Sequence, residues 1–321
     1  MEVKNIAVLT SGGDSQGMNT VVSIIVRLAQ QRNIKVFGVK SGYKGLYEDN
    51  FVELDLDAVE NVSCKGGTFL KTARFVEFKK LDVVAKSIEN LKKRNIDALI
   101  VIGGDGSFRG AKQLQDMGVN IIAIPATIDN DLRYTNYSLG FDTAVNNATS
   151  HIENVKQTMS SLDRGVVFEV MGRYCGDIAL YSACACACDV IAVPEKPITE
   201  SELIEKVKEK YALTKRPPIV VVAEKMFDIA SIAQKLNEQM NVEFKHSVVG
   251  YVQRGGEPSV KDRVLALQFG VRAIDLISKG IFNKAIGIMN EEIIETSIDE
   301  ALHCDYNYNY NLLNLFYLLN N

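Results

Sequence analysis

Short apolar runs recur along this chain, each closed by a turn before a helical pattern begins, and this alternation restricts the fold more than any other feature. The runs at 6–9, 36–39, 98–102, 121–124, 166–170, 190–193 and 219–222 are built mainly from Ile, Val, Leu and Ala. Such stretches suit strands covered on both faces. Between them lie helical periods. At 83–94, Val84, Ile88 and Leu91 share one face, while Lys92, Lys93 and Arg94 fill the last turn, where cations complement the helix dipole. Strands alternating with helices predict an α/β fold of doubly wound, Rossmann-like parallel sheets. A length of 321 residues exceeds what a single core usually supports, so two domains are expected, although length alone also permits one large domain.

The formal net charge of -4 offers no basic surface for nucleic acid, and no partner of that kind is expected. Phosphorylated small molecules remain accessible to an acidic protein through local arginines and helix termini. No window approaches the apolar length of a membrane span, and no signal-peptide pattern precedes the run at 6–9, so a cytoplasmic location is expected. The six cysteines suit no secreted framework. Cys184, Cys186 and Cys188 alternate with alanine, which fits close packing better than the paired spacing of a metal site. Near the end, Tyr306, Tyr308 and Tyr310 alternate with asparagine before Leu312, Leu313, Leu315 and Phe316; a strand and a helix docked on the body are expected there, the alternative being a frayed end.

In wound sheets ligands bind at the carboxyl ends of the strands, so turns that directly follow a run are the candidate sites. The first turn is Thr10-Ser11-Gly12-Gly13-Asp14-Ser15-Gln16-Gly17. Its glycines let backbone N–H groups close on an anion, although the same residues also make an ordinary tight turn. The second, Gly103-Gly104-Asp105-Gly106-Ser107, opens a helical pattern at 111–117 and offers one carboxylate for magnesium among phosphates; the competing reading is a helix cap at Asp105 or Ser107. The third is Pro125-Ala126-Thr127-Ile128-Asp129-Asn130-Asp131. Two carboxylates two residues apart suit phosphoryl transfer, one taking the attacking proton and the other arranging metal or water, or they mark an Asx-rich loop. Arg74, Arg164, Arg173 and Arg254 are candidate anion holders, because the guanidinium fork grips phosphate bidentately. Glu224 could accept hydrogen bonds from sugar hydroxyls or face solvent.

Taken in this order, the three turns, the segment from Glu169 to Asp177 and the segment from Gly250 to Gly256 resemble bacterial ATP-dependent 6-phosphofructokinases over residues 4–300. The resemblance implies transfer of the ATP γ-phosphoryl group to the 1-hydroxyl of fructose 6-phosphate, with magnesium, in a homotetramer whose neighbouring subunits complete each site. It implies an ATP-binding domain of residues 1–138 plus 251–301 and a sugar-phosphate domain of 139–250 plus 302–321. Gly13, Tyr43, Arg74, Phe75, Gly104, Gly106, Ser107 and Gly110 would line the ATP site, with Asp105 on magnesium. Asp129 would be the general base, Thr127 and Arg173 would stabilise the transferring phosphoryl, and Asp131 would support the metal-side geometry. Ile128, Met171, Gly172, Glu224, Lys245, Tyr251 and Arg254 would surround the sugar phosphate, with Arg164 reaching it across a subunit interface.

Departures from the family pattern qualify this picture. Lys245 stands for an arginine and Tyr251 for a histidine, both at the sugar phosphate. At the regulatory site, where the resemblance implies ADP as activator and phosphoenolpyruvate as inhibitor, Arg27 and Lys215 match the family and Lys156 replaces an arginine, but Ser23 and Leu56 stand for arginines, Asn61 for aspartate, Leu213 for a basic residue, Pro217 for histidine and Asp189 for glutamate. A degraded effector site is therefore expected. Gly106 and Ala126, where pyrophosphate-using relatives carry aspartate and lysine, imply ATP as donor. Alternative readings are an NAD or diacylglycerol kinase, which share Gly-Gly-Asp-Gly, or a catalytically weak paralogue serving as a ligand-binding subunit.

Overall fold

The computed structural model describes residues 3–304 and 308–320. Two units emerge from the packing: 1–128 with 132–143 and 256–307, and 129–131 with 144–255 and 308–321. The chain changes unit after residue 143 and after 255, against the expected 138 and 250, and the short stretch Asp129–Asp131 packs with the second unit.

The strands in chain order are β1 (Asn5–Ser11), β2 (Lys35–Val39), β3 (Phe51–Leu54), β4 (Ala98–Gly103), β5 (Ile121–Pro125), β6 (Gly165–Val170), β7 (Val190–Ala192), β8 (Ile219–Ala223), β9 (Phe244–Val248), β10 (Lys284–Met289) and β11 (Glu292–Ser297). In the first unit they form one sheet in the order β11-β10-β5-β4-β1-β2-β3. The interior pairings are parallel, while β2–β3 and β10–β11 at the two edges are antiparallel. Alternate residues feed two cores. Ile6, Val8, Ile100, Ile102, Ile122 and Ile124 pack with residues of the helices Met18–Gln31 and Val260–Ser278. Ala7, Leu9, Leu99, Val101, Ile121 and Ala123 pack with residues of Leu81–Lys93 and Asp105–Asp116. A strand with its odd and even residues in different cores cannot alternate polar with apolar, which is why the central strands read as continuous apolar runs.

The second unit carries a parallel sheet in the order β7-β8-β6-β9. Val167, Val220, Val222 and Phe244 pack on one side with Leu203 and Val207 of the helix Glu200–Thr214 and Ile232 and Leu236 of Ile229–Gln239. Cys186 and Cys188 are 1% exposed, in line with packing, while Cys184 is only half-buried; all three are free thiols. Of the terminal segment, Tyr306 lies outside the described residues, and no strand forms at Tyr308–Asn309. The helix Tyr310–Asn320 buries Leu313 and Phe316 and lies against the helix Asp177–Ala185. Among the described residues no helix is long and apolar enough to cross a membrane.

Candidate active site

Strand register sets the site in the first unit. Ser11 at the end of β1 pairs with Gly103 at the end of β4, and Gly103 pairs with Pro125 at the end of β5. The three candidate turns therefore leave one edge of the sheet side by side, at the carboxyl ends of adjacent parallel strands. Their spacing is tight. A side chain at Gly103 would meet the Ser11 carbonyl oxygen at 2.5 Å, so the second turn can approach the first only without one. Gly12 adopts a φ of 89° that most side chains resist, and Ser107 Oγ lies 3.4 Å from where its Cβ would stand. Gly13 is exposed and Gly106 has nothing within 4 Å of a would-be Cβ, which leaves open space over the turn.

The helix opened by the second turn starts at Asp105 rather than at 111, with Gly104 as its N-cap; neither Asp105 nor Ser107 takes the cap position. Asp105 thus sits in a first helical turn, half-buried, where backbone N–H groups favour anions. Arg109, one turn on, grips its carboxylate bidentately at 2.9 and 3.0 Å. Thr127 is half-buried on the turn after β5 and Ile128 is buried. Ser138 Oγ donates to the Thr127 carbonyl oxygen at 2.6 Å and fixes that turn from below.

Tyr43 and Gly110 hold the cradle from behind. Tyr43 is 6% exposed and donates its hydroxyl to the Ser107 carbonyl oxygen at 2.5 Å. Gly110 gives the ring room, since a Cβ there would stand 2.7 Å from it. Burial pushes the Tyr43 phenol far above its usual range, so it serves as a neutral donor. Phe75 packs beside it, its ring centroid 5.7 Å from that of Tyr47 and 6.5 Å from that of Phe78, and Arg74 is exposed.

Register also builds the second unit's site. Val170 at the end of β6 pairs with Ala223 of β8, and Glu169 pairs with Val248 of β9. Met171–Arg173, Glu224 and Gly250–Arg254 follow these ends directly. Arg173, at a φ of 60°, donates its backbone N–H to Glu224 Oε1 at 2.6 Å, which gives Glu224 a structural partner instead of a free solvent face. Gly172 has a φ of 140°, and a side chain there would run into the Cys175 carbonyl oxygen. Asp129 lies within the electrostatic reach of Asp131, Glu224, Arg173 and Arg254. Enclosure by protein, then repulsion from Asp131 and Glu224, pushes its carboxyl up to about 7 against the pull of Arg173 and Arg254. A carboxylate poised near neutrality between two arginines can accept a proton while a phosphoryl group is neutralised beside it.

Arg164 and Lys245 are not part of that cluster. Arg164 immediately precedes β6, and Lys245 is the second residue of β9, so both sit at the opposite, amino-terminal edge of the sheet. There Glu243 bridges them, at 2.5 Å from each. Tyr251 stays at the carboxyl edge, 79% exposed, its ring centroid 6.0 Å from the Arg254 guanidinium carbon.

Sequence reasoning did not single out Gln253 or Asn147. Gln253 is fully buried, accepts from the Met171 N–H at 3.1 Å and donates to the Gly250 carbonyl oxygen at 2.9 Å, tying two of the site's turns together. Asn147 donates to the Gly255 carbonyl oxygen at 2.8 Å. Neither belongs to a residue class that announces chemistry, and each acts through the backbone of a segment distant in sequence.

The family profile described as phosphofructokinase matches residues 5–277. The chain belongs to the phosphofructokinase family. Over 300 residues, 94% of this chain and 94% of the relative, it is 43% identical to an ATP-dependent 6-phosphofructokinase of Erwinia tasmaniensis. Among solved structures it is similar to Pichia pastoris phosphofructokinase in the T-state, with a TM-score of 0.88 and 30% identity over 94% of this chain. Phosphofructokinase from Saccharomyces cerevisiae gives 0.85 and 31% over 93%. The chain spans 38% and 45% of those two longer chains.

A magnesium ion is implied by a phosphofructokinase fold, and the donor chemistry suits one. Asp105 is a single, partly exposed carboxylate in a helix's first turn, beside the open space at Gly106. Among the described residues no cluster of three or more metal-ligating side chains exists. Magnesium is commonly held this way, through one or two carboxylates together with the substrate's phosphates and water.

Proposed function

We infer that this chain is an ATP-dependent 6-phosphofructokinase, which transfers the γ-phosphoryl group of ATP to the 1-hydroxyl of fructose 6-phosphate. The observation that carries this reading is the carboxyl-edge cluster of Asp129, Asp131, Glu224, Arg173 and Arg254, in a chain 43% identical to a bacterial enzyme of that activity. Phosphoryl transfer requires positioning, charge neutralisation and one base, and no covalent nucleophile. In this scheme Asp129 takes the proton of the attacking hydroxyl. Thr127 and Arg173 stabilise the phosphoryl oxygens, and Glu224 with Arg254 orients the sugar. Gly13, Gly104, Gly106 and Ser107 receive the phosphates of ATP in the first unit. Asp105 would hold magnesium, assisted by Asp131, and a bound ion would neutralise charge on those phosphates.

Arg164 and Lys245 bear on assembly. Their edge of the sheet is separated from Glu224 and Arg254 by the length of a strand, roughly 15–20 Å for five or six residues. One chain cannot bring all four residues to one sugar phosphate, so a second copy would supply the cations for the 6-phosphate. This supports a homotetramer with shared sites, and a cytoplasmic location belongs to the same reading. A coupled assay of ADP release with fructose 6-phosphate and magnesium tests the function, and ATP turnover indifferent to the sugar would reject it. Absence of turnover would favour the ligand-binding paralogue instead.

ATP is expected to be the donor and pyrophosphate a poor one, by at least about a hundredfold in kcat/KM. Gly106 keeps open the space that an aspartate side chain would fill with a negative charge. Ala126 is buried at 1% exposure, on the strand-like continuation of β5, and brings no charge. Parallel assays with the two donors decide, and preferential use of pyrophosphate would refute the expectation.

Handling of the 6-phosphate is expected to be weak. Lysine keeps the charge of arginine but not its fork, and the Tyr251 phenol has no cationic form. Lys245→Arg combined with Tyr251→His should lower the KM for fructose 6-phosphate by about 3- to 10-fold, the effect of one improved charged hydrogen bond. A raised KM would show that the native pair is already the better one.

A further inference from the structure

We propose that Asp177 is a positioning residue for the Asp129–Asp131 stretch, acting through the side chain of Asn130. The proposal rests on the assignment of Asp129 as the base. Asn130 stands between the two carboxylates in sequence, is 8% exposed, and has a φ of 54°, in the left-handed region that few residues other than glycine, asparagine and aspartate adopt readily. Its side-chain amide donates to Asp177 Oδ2 at 2.8 Å. Any slip of Asn130 out of this conformation would rotate the peptide planes on either side of it, and so displace both Asp129 and Asp131.

Asp177 is built to hold rather than to react. It is 6% exposed, at the first position of the helix Asp177–Ala185. The Cys175 side chain hydrogen-bonds it as well. The preceding residue, Gly176, donates its N–H to both carboxylate oxygens of Glu195, at 2.9 and 3.2 Å, and has no space for a side chain: a Cβ would stand 2.6 Å from that of Val193. The anchor is thus fixed to the turn after β7 before it touches Asn130. Tyr308, 4% exposed at the start of the terminal segment, lies in the electrostatic field of Glu195 and Asp177. The aspartate in the sequence segment from Glu169 to Asp177, to which no role in binding or chemistry falls, acquires one as the anchor of the base's loop.

A hydrogen-bond acceptor of the same shape should serve whether or not it carries charge, and the test uses that property. Asp177→Ala, Asp177→Asn and Asn130→Gly are compared with the parent chain by steady-state kinetics and by hydrogen exchange of the backbone at 128–132. Asp177→Ala is expected to lower kcat about tenfold, the cost of one hydrogen bond lost from the reactive arrangement, with KM for ATP within about twofold. Asp177→Asn should recover at least half of the parent kcat. Exchange at 130–132 should quicken in Asp177→Ala and not in Asp177→Asn. Asn130→Gly tolerates the left-handed backbone but lacks the amide, and should repeat the kinetic loss even if Asp177→Ala does not fold.

An Asp177→Ala chain with unchanged kcat, or an Asp177→Asn chain as impaired as Asp177→Ala, would overturn the proposal. So would a rise in KM for ATP as large as the fall in kcat, which would mark a disturbed ATP site instead of a displaced base. If the parent chain has no phosphofructokinase turnover, the functional reading fails, while the exchange contrast between the two Asp177 variants still decides whether the anchor exists.

Discussion

Asp129→Ser is expected to reduce turnover at saturating substrates by roughly 100- to 10,000-fold, the range for loss of a general base. The proton in question moves only as the hydroxyl attacks, so the loss should appear in kcat, with both KM values changed little. The pH profile provides an independent check. Enclosure first, and then the charges of Asp131 and Glu224, raise the Asp129 carboxyl to about 7. The active form is the carboxylate, so kcat/KM of the parent should fall as pH drops below about 7, and that limb should be missing from the residual rate of the variant. Stability carries the opposite sign. Because the folded-state pKa is raised, Asp129 favours the native state at low pH, and this contribution is lost as pH rises through about 7. At pH 8 the serine variant should therefore melt no lower than the parent. Near-parent turnover in this variant would remove Asp129 from the mechanism.

The central sheet was legible because its strands are buried on both faces. β1, β4 and β5 appear in the sequence as apolar runs nearly to their observed ends. Of the edge strands, β7 is buried and was read from its apolar run, whereas β3, β9 and β11 carry no such signal. β9 reads Phe-Lys-His-Ser-Val, with one buried residue, and β11 has none. They are strands because a neighbour's backbone pairs with them, a fact no window of their own sequence contains. The β10–β11 hairpin turns on Asn290 and Glu291, both left-handed, and glutamate is an unusual residue there. The helix at Asp105 was read as starting six residues late, because Asp-Gly-Ser is a poor helical sequence. Phe108, fully buried under the turn, supplies the tertiary packing that overrides it.

The placement of the candidate site was legible where it lies in one stretch, as in Gly103–Ser107 or Thr127–Asp131, and less so where it depends on folding. That Tyr43 supports the Gly103–Ser107 turn from inside the core follows from its hydrogen bond to Ser107, 64 residues away. That Lys245 and Tyr251 fall at opposite ends of the same strand region follows only from the register of β9. Glu243, which bridges Arg164 and Lys245, had no motif to identify it.

Effector control is expected to be nearly absent: neither ADP nor phosphoenolpyruvate at millimolar concentration should shift the fructose 6-phosphate midpoint by as much as twofold. Of the cations at the expected effector positions, Lys156 and Arg27 are already engaged. Lys156 donates to the Cys186 carbonyl oxygen and lies 3.4 Å from Glu153, and Arg27 donates to Ser23 at 3.4 Å. Lys215 is a left-handed helix cap, and its neighbour Arg216 pairs with Asp189 at 2.6 Å. Asp189 is 4% exposed, and its other carboxylate oxygen accepts the Ile219 N–H at 2.8 Å. A carboxylate so placed locks the start of β8 and holds Arg216 as its own counter-ion. An incoming phosphate would have to displace that ion pair, and would find Leu213 70% exposed where a basic side chain is usual. Each missing charged hydrogen bond costs on the order of 1.5–3 kcal/mol, so the loss of two or three weakens binding by several powers of ten. An effector moves a conformational equilibrium only by its difference in affinity for the two states, and a site that binds neither state transmits nothing. Saturation curves with and without each effector measure this directly, and a severalfold displacement of the midpoint by either would show that the Asp189–Arg216 pair opens to receive it.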